Sequence, residues 1–245
     1  MIPILECPRC LKCSMVTCDC PIEGPGQGAY CPNCGLTHMD AWPPASPEFI
    51  KFSKIPRLKR DIIITEKIDG TNAQIYITEA NRIFAGSRKR WLTAEADNFG
   101  FFAWVMEHHR ELLHLGRGRH FGEWWGTGIQ RGYGLDDKRF SLFNVSRWID
   151  PTLFDNIKVR GILSDEAAAK RRNIPLCCRV VPVLRVGPFR MSTIISALNE
   201  LQYSGSRAAP SFMNPEGIVI YHTAGGNLFK VTLENDDKPK GKDNV

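Results

Sequence analysis

The sequence lacks a long apolar run, a leader-like N-terminus and any internal repeat. No hydrophobic stretch approaches the roughly 18 residues of a membrane-spanning helix, although 43% of the 245 residues are hydrophobic. The first ten residues, MIPILECPRC, lack the basic flank and extended apolar segment of a secretory signal. We therefore expect a soluble, cytoplasmic protein, a monomer with no membrane partner.

Cysteine is scarce outside the N-terminal segment, where seven of the nine cysteines lie between Cys7 and Cys34. CPRC and CPNCG are two C-x-x-C pairs separated by about twenty residues, a spacing typical of a tetrahedral Zn²⁺ site. The alternatives are free thiols and disulfides, but no secretory signal supports disulfides. The predicted zinc ligands are Cys7, Cys10, Cys31 and Cys34.

A second zinc site is left open, with Cys13, Cys18, Cys20 and His38 as candidate ligands. A Zn–Cys₄ centre is anionic, and residues 1–50 already hold two Lys/Arg against five Asp/Glu, so we do not expect this segment to bind phosphates. It is either a staple for a segment too short to build a core, or a docking surface for a protein partner. We predict a zinc-ribbon-like module over 1–42, joined by the proline-rich segment 41–49 to a domain over 43–245.

Charge is unevenly distributed along the chain. The net charge is +6, and because residues 1–50 carry −3, the remainder carries +9. A positive body of this size suits a polyanionic partner such as nucleic acid.

The body mixes short strands with a few helices, and no regular β-α-β alternation is visible. Strands are predicted over 61–68, 73–78, 119–125, 139–147, 178–186, 216–221 and 227–233. Helices are predicted over 97–114, 164–172 and 190–201. The pattern predicts an α+β domain of antiparallel sheets with flanking helices.

One stretch, IIITEKIDGTNAQIYI (62–77), places Lys67 and Asp69 between two Ile-rich runs. Asp-Gly between apolar runs is a strong β-hairpin signal, so we expect a hairpin here. The same residues also suit a nucleophilic lysine at the mouth of a nucleotide pocket. An amine nucleophile must be activated, and neighbouring cations such as Lys230 and Arg88 would lower its pKa.

Six short polar elements follow one another on apolar strands: EKIDGTN, GSRKR, FGEWWG, KRFSLFNV, EGIVIY and LFKVTL. In this order they resemble the motifs of covalent nucleotidyltransferases, which include ATP-dependent ligases and capping enzymes, and most of all the phage-type RNA ligases. The resemblance covers roughly residues 60–233. It implies an adenylation domain with an ATP-grasp-like fold, an RNA partner, a role in RNA repair, and the host cytoplasm as location if the protein is phage-encoded.

The resemblance also implies the roles of four catalytic residues. Lys67 would take AMP from ATP as a lysyl-AMP adduct, and Asp69 would orient the lysine or a metal-bound water. Glu216 would bind Mg²⁺ or Mn²⁺, and Lys230 would neutralise the α-phosphate. AMP would then pass to a 5′-phosphate, and a 3′-hydroxyl would displace it to seal the strand.

The nucleotide contacts implied by the resemblance are Glu66, Ile68, Asn72, Arg88, Glu123 and Phe143. Glu123 would accept a hydrogen bond from the ribose, and Phe143 would stack on adenine, on the strand face that carries Ser141 and Val145. Arg88 would contact the ribose or a nucleic-acid phosphate, unless it belongs to an exposed basic cluster.

The sequence departs from the family pattern at one point. Many members carry K-x-K at the last motif, whereas here Thr232 follows Lys230. Lys238 and Lys240 would compensate if the tail folds back. Three alternatives remain open: a DNA ligase, a GTP-using capping enzyme, and an inactive zinc-ribbon nucleic-acid-binding protein.

Overall fold

The computed structural model describes residues 49–148 and 174–237. The chain divides into two compact units, Met1–Lys54 and Ile55–Val245, and the strands and helices of the described residues all lie in the second unit. Three predictions lie outside the described residues: the zinc module with its cysteines, the helix over 164–172, and the position of Lys238 and Lys240.

The nine strands of the described part form two sheets. One has the order β7-β1-β8-β9 and is antiparallel throughout. The other has the order β3-β2-β4-β5-β6 and is antiparallel except for the parallel pair β5–β6. The strands are β1 Asp61–Lys67, β2 Thr71–Ile77, β3 Ile83–Ser87, β4 Gly118–Gly126, β5 Lys138–Leu142, β6 Cys178–Val180, β7 Val183–Pro188, β8 Gly217–His222 and β9 Asn227–Thr232. The predicted α+β class is confirmed, with one sheet mixed rather than antiparallel.

The described helices are few and mostly short. They are α1 Phe101–Glu107, α2 His109–Leu112, a 3₁₀ turn Leu113–Leu115, α3 Val145–Trp148 and α4 Met191–Ser204. The single helix predicted over 97–114 begins later, because the Asp97 carboxylate accepts hydrogen bonds from the backbone N–H of Phe102 (2.7 Å) and Ala103 (3.2 Å). It is interrupted at His108, whereas α4 confirms the helix predicted over 190–201. None of the helices in the described ranges is long and apolar enough to cross a membrane.

The hairpin predicted over residues 62–77 is wrong. β1 pairs with β7 and β8, whereas β2 pairs with β3 and β4. Residues 68–70 therefore carry the chain from one sheet to the other. The reason lies in burial: β1 is buried almost throughout, as a central strand covered on both faces, whereas β2 alternates.

Two other predicted strands differ from the structure. The strand over 139–147 ends at Leu142, and Val145 lies in α3 rather than beside Ser141 and Phe143 on one strand. The strand over 178–186 is two strands in different sheets. Pro182, which has no N–H to donate to a ladder, lies at the break between them.

Two apolar clusters build the core. Ile62 and Ile64 of β1 pack with Ile194, Ala197 and Leu201 of α4. Ile63, which points to the opposite face of β1, joins the larger cluster that contains the buried residues of the five-stranded sheet. Because successive side chains of a strand point to opposite faces, β1 connects both clusters and fixes the position of the residues that follow it.

Candidate active site

Lys67 lies at the end of β1, where the chain leaves the first sheet. Its ammonium group donates a hydrogen bond to the carboxylate of Glu216, which immediately precedes β8. The Lys67 side chain is 21% exposed and the Glu216 side chain 2%. The predicted nucleophile and the predicted metal ligand are therefore in direct contact, with the lysine reachable from solvent.

The turn after Lys67 is held by residues of the other sheet and its loops. The Asp69 N–H donates to Tyr133 Oη at 2.8 Å, and the Gly70 N–H donates to Glu123 Oε1 at 3.2 Å. The Asp69 carboxylate accepts from Arg131 Nε at 3.2 Å. Contacts on Asp69 and Gly70 thus fix the path of the chain directly after Lys67.

The carboxyl group of Glu123 has a shifted pKa in the folded protein. Burial raises its pKa to about 7, against an opposing effect of the Lys67 ammonium, while Glu216 and Asp69 act in the same direction as burial. Three carboxyl groups, those of Glu123, Glu216 and Asp69, and the Lys67 ammonium group therefore interact electrostatically at this site. Such a cluster favours the entry of further positive charge.

We expect this carboxyl to make the stability of the ligand-free protein fall as pH rises. Between pH 4.5 and about 7 the folded state keeps a proton on Glu123 that the unfolded state has lost, so the free energy of unfolding decreases by on the order of 3 kcal/mol and then levels off. Urea unfolding at several pH values measures this fall.

The matched variant is Glu123→Gln, which has no proton to lose. Its curve should be flatter than that of the wild type over the same window, while Glu66, whose pKa burial also raises, contributes equally to both curves. Parallel curves for the two proteins would contradict the assignment of the titration to Glu123.

The carboxylate oxygens fit a hard divalent cation such as Mg²⁺ or Mn²⁺. Within the described ranges, no group of three or more His, Cys, Asp or Glu side chains is arranged to hold a metal ion by itself. Glu216 could hold such a cation together with water and the phosphates of a substrate, which is the usual arrangement for Mg²⁺ in phosphoryl-transfer sites.

The β-sheet register places the predicted nucleotide contacts of the second sheet on one face. Asn72 is paired with Glu123, and Glu123 with Ser141, so the three side chains share a face. Phe143 continues this register, because its N–H donates to the Phe121 carbonyl at 3.0 Å. Arg88 is exposed one position beyond the last pair of β2 and β3, Ala73–Ser87.

Glu66 and Lys230 occupy different surroundings. The Glu66 carboxylate accepts hydrogen bonds from Ser206 Oγ and from the backbone N–H groups of Arg207 and Ala208, at 2.5–2.9 Å. Because these donors engage the carboxylate, only the backbone of Glu66 remains to contact a nucleotide. Ile68, the second residue after Glu66, is buried. Lys230 is exposed on β9, on the sheet face that carries Lys67.

Arg131 is a residue that the sequence motifs did not reveal. Besides the Asp69 carboxylate, it contacts the carbonyl (3.0 Å) and the side-chain Oδ1 (2.6 Å) of Asn214, and lies 3.7 Å from Glu234. It therefore ties the turn after Lys67 to the segments that precede Glu216 and follow β9. The local sequence GIQRGYG offers only its glycines, Arg and Tyr as a signal.

The fold is a mixed α+β domain of two sheets. Its site places Lys67 and the carboxyl groups of Asp69, Glu123 and Glu216 near the point where the chain passes from one sheet to the other. A family model described as RNA ligase matches residues 60–232. The chain belongs to the RNA ligase family. None of the curated proteins matches it.

Several solved structures of Naegleria gruberi RNA ligase are similar to the chain. A lysine mutant with ATP and Mn is 17% identical, with a TM-score of 0.47, over 72% of this chain and 50% of that one. A glutamate mutant with ATP and Mn is 18% identical, with a TM-score of 0.49, over 77% and 57%. The ligase with PPi is 19% identical, with a TM-score of 0.47, over 76% and 56%. The chain thus spans about half the length of these proteins.

Proposed function

We propose that this protein is an ATP-dependent RNA ligase that works through a lysyl-AMP intermediate. The observation that carries the proposal is the contact between Lys67 and Glu216, with Asp69 and Glu123 beside them, in a chain of the RNA ligase family. Each of these residues lies in one of the six ordered motifs.

The first step is transfer of AMP to Lys67. A neutral Lys67 amine attacks the α-phosphorus of ATP, so that a P–N bond forms as the P–O bond to pyrophosphate breaks. The lysine must first lose a proton, and water can take it because the Lys67 side chain is 21% exposed. Attack by a protonated ammonium is impossible, since it has no lone pair.

Two further transfers complete the reaction. A 5′-phosphate oxygen of the RNA attacks the adenylate phosphorus and breaks the P–N bond, which returns the amine of Lys67. A 3′-hydroxyl then attacks the 5′-phosphorus, and AMP leaves as the new phosphodiester forms. Mg²⁺ or Mn²⁺, held by Glu216, would supply charge neutralisation at the phosphates.

The nucleotide contacts belong to the same proposal. Glu123 accepts from the ribose, Phe143 stacks on adenine, and Asn72 and Arg88 lie at the edge of the same sheet face. Lys230 meets the α-phosphate from β9. Thr232, which stands where many members carry a second lysine, is paired with Gly217 across from Lys67 and offers a hydroxyl rather than a charge.

The test is to incubate the wild-type protein with ATP or GTP and the divalent metal, and to record its intact mass. We expect one adenylate adduct with ATP and none with GTP, which separates a ligase from a capping enzyme. Sealing of matched RNA and DNA strands then separates an RNA ligase from a DNA ligase. A protein that gains no adduct and seals nothing would be the inactive nucleic-acid-binding alternative.

Arg131 should act as a positioning residue in this reaction. Arg131→Met leaves Asp69 without this partner, so we expect kcat for self-adenylation to fall by about tenfold to a hundredfold, with KM for ATP little changed. Arg117→Met is the matched control, because Arg117 forms an exposed ion pair with Glu79 and should retain wild-type kinetics. An equal effect of both variants on kcat would contradict a role in the site.

We further propose that the protein is a cytoplasmic monomer that acts in RNA repair, with a phage as its source. We also propose that an N-terminal module over 1–42 binds Zn²⁺ through Cys7, Cys10, Cys31 and Cys34. The support for zinc is the C-x-x-C spacing alone. Metal analysis of the purified chain, with Cys31→Ser as comparison, should find zinc bound to the wild type and lost from the variant.

A further inference from the structure

We propose that an exposed aromatic face of the five-stranded sheet is the platform on which a single-stranded segment of the RNA substrate stacks. This inference rests on the proposed function and names where its substrate lies. The aromatic face consists of Tyr76, Phe84, Trp91, Arg119 and Phe121.

The register puts these side chains in rows on one surface. Phe84, Tyr76 and Arg119 are paired across β3, β2 and β4 and form the outer row. Gln74 and Phe121 form the next row. The Trp91 ring lies over Gly86, where an added Cβ would come within 3.1 Å of it, and so fills the end of that second row.

The face is aromatic and open to solvent, whereas the reverse of the same sheet is core. Trp91 is 43% exposed and Phe121 48%, although both could be expected inside an ordinary domain. Their neighbours on the reverse face, such as Ile75 and Trp124, are buried. Two exposed rings and the half-buried rings of Tyr76 and Phe84 on one sheet face indicate a binding surface rather than scattered surface residues.

Arginine is interleaved with these rings. The Arg119 guanidinium lies 4.5 Å from the Tyr76 ring centroid and 5.3 Å from that of Trp91, and Arg119 Nη1 donates to Gln74 at 3.1 Å. The adjoining residues 80–94 hold four Lys/Arg and no Asp/Glu. Surfaces that bind single-stranded RNA combine aromatic rings, which stack on the bases, with cationic side chains, which contact the phosphates.

The platform leads into the site described above. The next row along the same face is Asn72, Glu123 and Ser141, and two residues along a strand are about 7 Å. Phe143, assigned to adenine, adjoins Phe121 through their backbone hydrogen bond. An RNA strand whose end lies at Lys67 can therefore pass the row of Asn72 and Glu123 and continue across Phe121 and Trp91 of the five-stranded sheet.

The test measures binding of a 5′-phosphorylated single-stranded oligoribonucleotide, and of the same strand with abasic residues, to the full chain. We expect Phe121→Ala to lose about tenfold in affinity for the ordinary strand and little for the abasic one. Phe121→Leu, which keeps apolar bulk without a ring, should lose nearly as much. Arg119→Ala should weaken binding of both strands.

Matched controls lie off the face: Tyr203→Ala removes an exposed ring from α4, and Arg110→Ala an exposed arginine from α2. Both should bind RNA as the wild type does. Adenylate adduct formation with ATP reports separately on the fold and on the proposed function, and the Phe121 variants should retain it.

Unchanged RNA affinity of Phe121→Ala, or an equal loss for the ordinary and abasic strands, would overturn the platform even if the adduct forms. A protein that forms no adduct but shows the ring-dependent affinity would overturn the ligase and retain the platform.

Discussion

Lys67→Arg is expected to form no adenylate adduct, whereas the wild type is converted to a stable adduct by ATP and divalent metal. Arginine keeps a positive charge next to Glu216, so the contact that joins β1 to the segment before β8 is preserved. Its guanidinium is not deprotonated in proteins and cannot serve as the nucleophile. Intact-mass measurement distinguishes the two outcomes directly.

Lys67→Ala should be equally inactive, but for a less specific reason. It leaves the buried Glu216 carboxylate without its ammonium partner, which also destabilises the fold. Lys59→Ala, which removes an exposed lysine shortly before β1, is the control and should form the adduct normally. Formation of the adduct by Lys67→Arg would mean that another residue is the nucleophile, and would contradict the proposed chemistry.

Gly70→Ala is the second variant with a large expected effect. A Cβ at this position would lie 2.5 Å from the Trp124 carbonyl oxygen, 2.7 Å from Trp125 Cβ and 2.9 Å from Glu123 Cγ. The backbone of β4 cannot move aside as the end of a flexible side chain can. The turn over residues 68–70 must therefore move away from β4. We expect a loss of about 3 kcal/mol in the free energy of unfolding and at least a hundredfold slower adenylation.

Gly225→Ala serves as the comparison for Gly70→Ala. Its added Cβ would meet side-chain atoms of His222 and Asn227 at 3.2 Å and 3.4 Å, which small rotations can relieve. Denaturant unfolding and the rate of adduct formation should leave this variant close to the wild type. Equal stability of the two variants would mean that residue 70 does not approach β4 as closely as described.

The class of fold and most of the site could be predicted from sequence because each motif lies on or beside a strand with a clear apolar pattern. Lys67, Asp69, Glu123 and Glu216 are indeed brought together, since strand ends converge where the sheets meet. The unbroken run of Ile62, Ile63 and Ile64 does hold the signal of a central strand. The Asp-Gly turn signal, however, predicts that β1 pairs with β2, whereas β1 pairs with β7 and β8.

The remaining features depend on contacts between distant segments. Arg131 and Tyr133 reach Asp69 from more than 60 residues away, and nothing in a local pattern encodes that approach. Likewise, Glu66 reads as one more polar residue beside Lys67, yet its carboxylate anchors the loop after α4. Strand β3 was missed because IFAGS is short and contains a glycine.

The passage of residues 68–70 between two separate sheets has a consequence for how the chain can vary. An extra residue in an ordinary surface loop is absorbed at little cost, but one inserted here would rotate β2 against its partners and send Asn72 inward and Ala73 outward. The connection over residues 68–70 therefore tolerates no change in its length. Any lengthening within this chain is far better accommodated in loops such as the one between β8 and β9.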